Sequence, residues 1–146
     1  MGKYIYISIG GAVGAVLRQL AGGLNILGYE GAFPLNTLMI NITGSFLLAI
    51  FVTIVFEKIE IDPGLRIGIS TGFLGAFTTF STFCKESVWL MESGRFGLSF
   101  MYISCSVLFG IFAAFLGIVL ARRVVYKSLL ISPGSITTES DEEGSK

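Results

Sequence analysis

The chain has 146 residues, 53% of them hydrophobic and only 14% charged, with a mean hydropathy of +0.79, too apolar for a soluble domain of this size. Ten basic residues balance ten acidic ones, which argues against nucleic acid as a partner. There is no histidine, and Cys84 and Cys105 lack metal-ligand spacing, which argues against zinc and most acid–base catalysis.

A bilayer core is crossed by about 20 apolar residues in a helix. Four segments reach that length. The first covers 4–27 and is interrupted by Arg18, Gln19 and Asn25. It runs on past Arg18 with no Ala-x-Ala-like cleavage site, so a retained helix is expected there, not a signal peptide. The second covers 35–56, opened by Pro34 and closed by Glu57-Lys58. The third covers 65–91 and follows Asp62-Pro63-Gly64. The fourth covers 96–121 and is closed by Arg122-Arg123. The connections, 28–34, 57–64 and 92–95, are short, which makes successive helices antiparallel neighbours. Residues 1–123 are thus expected to form a four-helix transmembrane domain, all-α. Residues 124–146 read as a polar, acidic, disordered tail.

An even number of spans places both termini on one side. That side carries Lys3, Lys58, Arg66, Arg122, Arg123 and Lys127; the other carries Arg95, with Arg18 and Lys85 near helix ends. The excess favours cytoplasmic termini in an inner (plasma) membrane. Small residues add a second pattern. Gly10-Gly11-x-x-Gly14 and Gly68-x-x-x-Gly72 let helix backbones approach closely, either within one subunit or between copies. The polar residues inside the spans favour a homo-oligomer, because unsatisfied polar groups in lipid need protein around them.

Those polar residues are few. Asn41 lies roughly 9–10 Å below the start of its helix, at 1.5 Å per residue. Its carboxamide can offer N–H to an anion or bond a neighbouring helix. Arg18 either snorkels to headgroups or stands as a fixed positive charge in a vestibule. Glu86, after Lys85, is either a hydrogen-bond anchor or a gating or proton-coupling group. The third span holds the most informative run, Gly72-Phe73-Leu74-Gly75-Ala76-Phe77-Thr78-Thr79-Phe80-Ser81-Thr82-Phe83. Phe77, Phe80 and Phe83 recur every third residue, which on a continuous helix gathers them in one sector of about 120°. Thr78, Thr79, Ser81 and Thr82 fill the remaining faces, Gly72 and Gly75 are where the helix can open, and unwinding is expected near residues 75–79. Ring edges are partly positive. Carbonyls freed by a break must be satisfied, by hydroxyls or by a cation. One element can thus offer ring edges to an anion and carbonyls to a cation.

Three motifs, in order, resemble those of the CrcB/Fluc fluoride channel family: Gly10–Arg18, Asn36–Phe46 and Gly72–Phe83. The resemblance covers about 4–122 and is most specific in the third motif. It implies an antiparallel, dual-topology homodimer with a broken third helix, two fluoride pores and one central structural sodium ion. Phe80 and Phe83 match the pore-lining phenylalanines, and Asn41 the pore asparagine. Ser81 and Thr82 match hydroxyls of a polar track, with Glu86 the acidic residue beyond them. Tyr102 and Ser106 resemble further lining hydroxyls, and Arg18 the first-helix arginine. Gly75 and Thr78 match the positions whose backbone carbonyls hold the sodium. The expected function is passive, fluoride-selective export that confers fluoride resistance. The lopsided Lys/Arg count departs from this pattern, because opposite insertion of identical chains favours a balanced one.

Other classes fit less well. A small proton-coupled exporter needs a titratable carboxylate deep in a span; none precedes Glu57, and Glu86 lies toward a helix end. A structural assembly subunit needs no polar track. An enzyme needs a nucleophile–base pair or a metal cluster, and neither is apparent.

Overall fold

The computed structural model describes residues 2–23, 31–57 and 61–130, with side chains as far as Tyr126. Helix α1 runs Gly2–Gly23 and α2 runs Leu35–Glu57, starting directly after Pro34. Asp62 caps α3 (Pro63–Ile67), its carboxylate accepting from Leu65 N at 3.0 Å, with Pro63 at the first helical position, where its missing N–H costs nothing. A π-helical stretch, Gly68–Leu74, follows, then a single turn, α4 (Gly75–Phe77). After a break, α5 (Phe80–Glu92) completes the third span. Gly94, at φ 72°, reverses the chain: its N–H and that of Arg95 bond back to Met91 O and Leu90 O. Helix α6 then runs Phe96–Leu130.

Four helical spans, Gly2–Gly23, Leu35–Glu57, Pro63–Glu92 and Phe96–Tyr126, are long and apolar enough to cross a membrane. The chain is an all-α, multi-pass membrane protein. The fourth helix overrides the expected boundary at 123/124 and continues to Leu130. Val124, Val125 and Tyr126 extend its apolar pattern, and no Gly or Pro stops it before Pro133. Residues 131–146, the rest of the expected tail, lie outside the described residues.

The spans pack in two pairs. Helix α2 lies along α6, while α1 lies along the first half of the third span. The glycine motifs explain the second pair. A Cβ on Gly10 would overlap the Gly68 carbonyl, one on Gly14 the Phe73 carbonyl, and one on Gly72 would sit 2.8 Å from Ile7 O. Both small-residue motifs are therefore used against each other inside the subunit, and they give no support to association between copies.

The buried core is small: Leu38, Leu90 and Tyr102, with Phe33, Ile42, Phe83 and Leu98 packed around them. Many large apolar side chains, Phe100, Phe112 and Phe115 among them, face outward, as lipid requires. At the end where α2, α3 and α6 meet, Arg122 Nε contacts Glu57 Oε1 at 2.9 Å and Arg66 lies over the Phe56 ring at 3.8 Å. Lys58, on the same side by sequence, lies outside the described residues.

Candidate site at the break of the third span

The break falls on two threonines. Thr78 has φ −75°, ψ 157° and Thr79 has φ −143°, ψ 111°, both extended. Gly75, by contrast, is helical at φ −66°, ψ −35°, and Gly72 lies within the π-helical stretch. The break thus falls at the end of the expected 75–79 stretch, on the threonines and not on the glycines. Threonine is β-branched and accepts extended backbone readily, and its hydroxyl can replace the lost ladder bonds.

Those replacements are visible. Thr78 N and Oγ1 both donate to Leu74 O, at 3.0 and 3.1 Å, which ends the first half-helix. Thr79 Oγ1 accepts from Thr82 N at 3.2 Å, capping α5, and donates to Thr82 Oγ1 at 2.9 Å. Ser81 Oγ lies 3.4 Å from the same hydroxyl. From the second span, Asn41 Nδ2 donates to Thr79 O at 3.1 Å, and its Oδ1 accepts from Thr79 N at 2.8 Å. Of the two sequence-based roles for Asn41, the interhelical bond is therefore occupied. A carboxamide has two N–H groups, so one remains uncommitted among the described residues.

A second polar cluster lies one turn outward. Glu86 Oε1 accepts from Thr37 Oγ1 at 2.8 Å, and Oε2 accepts from the Tyr102 hydroxyl at 2.8 Å. The carboxylate thus ties α2, α5 and α6 together and fulfils the anchor role. It also lines an open cleft of about 180 Å³ with Asn36, Thr37 and Phe33. Phe83 joins the two clusters. Its ring is 5.9 Å from that of Phe80 and 5.2 Å from that of Tyr102. Phe80 is 78% exposed on the subunit surface.

Phe77 does not join these rings; it stacks on Phe73 at 6.5 Å. Spacing by threes fails across 78–79 because the break resets the helical phase. Ser106 donates to its own helix, at Tyr102 O, 2.7 Å away. Arg18 is half-buried on α1 and makes no hydrogen bond or ion pair with either cluster among the described residues. Gly75 is exposed, with a carbonyl 3.4 Å from Thr78 Oγ1, and extended Thr78 turns its own carbonyl off the helical ladder.

Sequence reasoning missed Thr79 and Thr37 as central members. A signal existed for each. Thr37 precedes Asn41 by four residues, on the same face of α2, and Thr79 is a preferred N-cap residue type within the 75–79 stretch.

This geometry sits within a chain whose relatives are recognisable. A protein-family profile described as CrcB-like protein, Camphor Resistance (CrcB), matches residues 5–118. The fluoride-specific ion channel FluC 1 of Moorella thermoacetica is 40% identical over 141 residues, 96% of this chain and 99% of that protein. FluC 1 of Bacillus cereus is 43% identical over 128 residues, 86% of this chain and 88% of that one. The FluC of Acidobacterium capsulatum is 37% identical over 123 residues, 84% of this chain and 98% of its own length. A match that runs from the first span to the fourth, through both polar clusters, makes this chain a member of the CrcB-like family.

Proposed function

We propose that the protein is a passive, fluoride-selective channel of the cell membrane that exports fluoride from the cytoplasm. The observation that carries this reading is the clamped break: Asn41 holds Thr79 in extended form in the middle of an apolar span. Around it gather the hydroxyls of Thr79, Ser81 and Thr82 and the exposed ring of Phe80. The names of the relatives point to the same ion.

Fluoride is small and strongly hydrated, so loss of water is its main barrier. The free N–H of Asn41, the hydroxyls of Ser81 and Thr82 and the edges of Phe80 and Phe83 replace that water in succession. None is a fixed cation, so each contact is strong enough to admit the ion and weak enough to release it. Tyr102 and Glu86 continue the polar line outward, with Ser106 beyond and Arg18 as a vestibule charge. Chloride is too large for a path cut for fluoride.

The functional unit in this reading is a homodimer of oppositely inserted subunits with two pores. The exposure of Phe80 and Gly75 supports it, since both then acquire protein neighbours. The donors at the break also suit a structural sodium ion. The Gly75 and Thr78 carbonyls, repeated by two-fold symmetry, form the kind of hard oxygen set that an alkali cation takes. The ion would complement carbonyl dipoles that the break turns off the helical ladder.

The test is efflux from liposomes loaded with fluoride or chloride and monitored with ion-selective electrodes, without a proton gradient. Fluoride release without chloride release is expected. Equal release of both, or dependence on a proton gradient, would overturn the reading in favour of an unselective pore or a coupled exporter. For sodium, replacement by a large organic cation on both sides is expected to abolish fluoride flux or dimer stability; unchanged values in both rule the ion out.

A further inference from the structure

Helix α5 is packed on one side only. Phe83, Ser87 and Leu90 turn toward α6, and Ser87 and Leu90 are buried there. The opposite face carries Ser81, Lys85, Val88, Trp89 and Glu92, all exposed. Lys85 follows Ser81 by one turn, roughly 6 Å along the axis, and lies roughly 10 Å short of the helix end at Glu92. It makes no hydrogen bond or ion pair among the described residues. A lysine two turns inside the end of the span, in line with Ser81, is costly if it faces lipid. Water on that face removes the cost.

The neighbouring cleft supplies a reason for the charge. Its lining includes the Glu86 carboxylate, held by two hydroxyls and by no cation among the described residues. That negative charge opposes any anion approaching Ser81. Arg18 stands on α1, which packs mainly on the first half of the third span. Lys85, adjacent to Glu86 in the chain, is the nearest basic residue in sequence to offset it.

We propose that Lys85 is a second anion-recruiting residue, on a water-lined face of α5, whose charge offsets Glu86 and sets how fast fluoride reaches Ser81 and Phe80. The proposal rests on the channel reading. Oppositely inserted subunits would place one such lysine at each mouth, so both directions of flow would be affected alike.

Lys85→Gln leaves the packed face of α5 untouched. Its fluoride efflux is expected to be about threefold slower than wild type in roughly 0.01 M salt of an impermeant anion, as steering effects on encounter rates allow. The difference should vanish in about 1 M salt, where the screening length falls to about 3 Å. Lys85→Cys, in a Cys84→Ser, Cys105→Ser background, should regain the lost rate on treatment with water-borne 2-aminoethyl methanethiosulfonate, which restores the positive charge. Equal wild-type and Lys85→Gln rates at low salt overturn the proposal, and so does a thiol introduced by Lys85→Cys that does not react from water. A salt-independent loss together with loss of the dimer on size exclusion overturns it too, in favour of a subunit contact. A wild-type protein that passes no fluoride instead removes the channel reading, and this inference with it.

Discussion

The Asn41 carboxamide closes a two-bond ring on the Thr79 peptide, donating to its carbonyl at 3.1 Å and accepting from its N–H at 2.8 Å. Side chain therefore stands in for helix at the one place where the third span has none. Lipid offers no substitute donors or acceptors, so the break exists only while Asn41 is there to complete it.

Replacing Asn41 tests this directly. Asn41→Ala orphans both Thr79 groups at a cost of about 1–3 kcal/mol each. Fluoride flux is expected to disappear and the detergent-solubilised protein to unfold at lower temperature. Asn41→Asp keeps the acceptor for Thr79 N but removes the donor and adds a negative charge, so it should recover part of the stability and none of the flux. Wild-type melting of Asn41→Ala would show that the break stands without its clamp.

The order of residues makes the spans legible. Four of them follow from apolar runs bounded by Pro34, Glu57, Asp62-Pro63 and Arg122, because bilayer thickness sets helix length. The stretch 75–79 is legible as the place of the break, but which of its residues open is less so. Glycines invite an opening by their own freedom, yet Gly72 is held against Ile7 by close packing, while Thr78 and Thr79 open because of Asn41, 38 residues away in sequence from Thr79. A contact of that range leaves no local trace. The Thr37–Glu86 bond, across 49 residues, is hidden for the same reason. The extension of α6 to Leu130 escapes differently: Arg122-Arg123 reads as a stop for the membrane, but arginine is a good helix former and does not stop the helix.

The α1 glycines make a packing prediction. Gly14→Ala places a methyl group on the Phe73 carbonyl, and backbone cannot rotate away as a side chain would. Overpacking of this kind costs about 1–3 kcal/mol or more. A fall in monodisperse yield on size exclusion is expected, together with loss of flux. Gly97→Ala, where an added Cβ meets nothing within 4 Å, should behave as wild type. Equal yields for the two variants would mean that α1 does not seat on the third span as described.

The Glu86 cluster predicts non-additivity. Thr37 and Tyr102 each donate to a different carboxylate oxygen. Tyr102→Phe removes one donor and leaves Glu86 held by the other; Glu86→Gln removes the charge and presents an NH₂ to one of the two donors. In a double-mutant cycle on unfolding, the Glu86–Tyr102 coupling should reach about 1.5–3 kcal/mol, the order expected of a hydrogen bond to a charged group. A coupling near zero would mean that the two side chains act independently.

Phe80 and Phe83 share a motif but not an environment, and this separates their variants. Phe80 is 78% exposed on the subunit, whereas Phe83 packs on Tyr102 at 5.2 Å and touches the buried core. Phe80→Ile should therefore remove fluoride flux while the isolated subunit keeps its thermal stability. Phe83→Ile should lose flux and stability together, because the aromatic contact with Tyr102 is worth about 0.5–1.5 kcal/mol beyond buried area. Flux and melting temperature measured on the same preparations distinguish the two outcomes. Wild-type flux in both variants would remove the ring edges from the conduction path. Equal loss of stability in both would mean that Phe80 is covered in the assembly by more than an ion path, with a partner surface pressed on its ring.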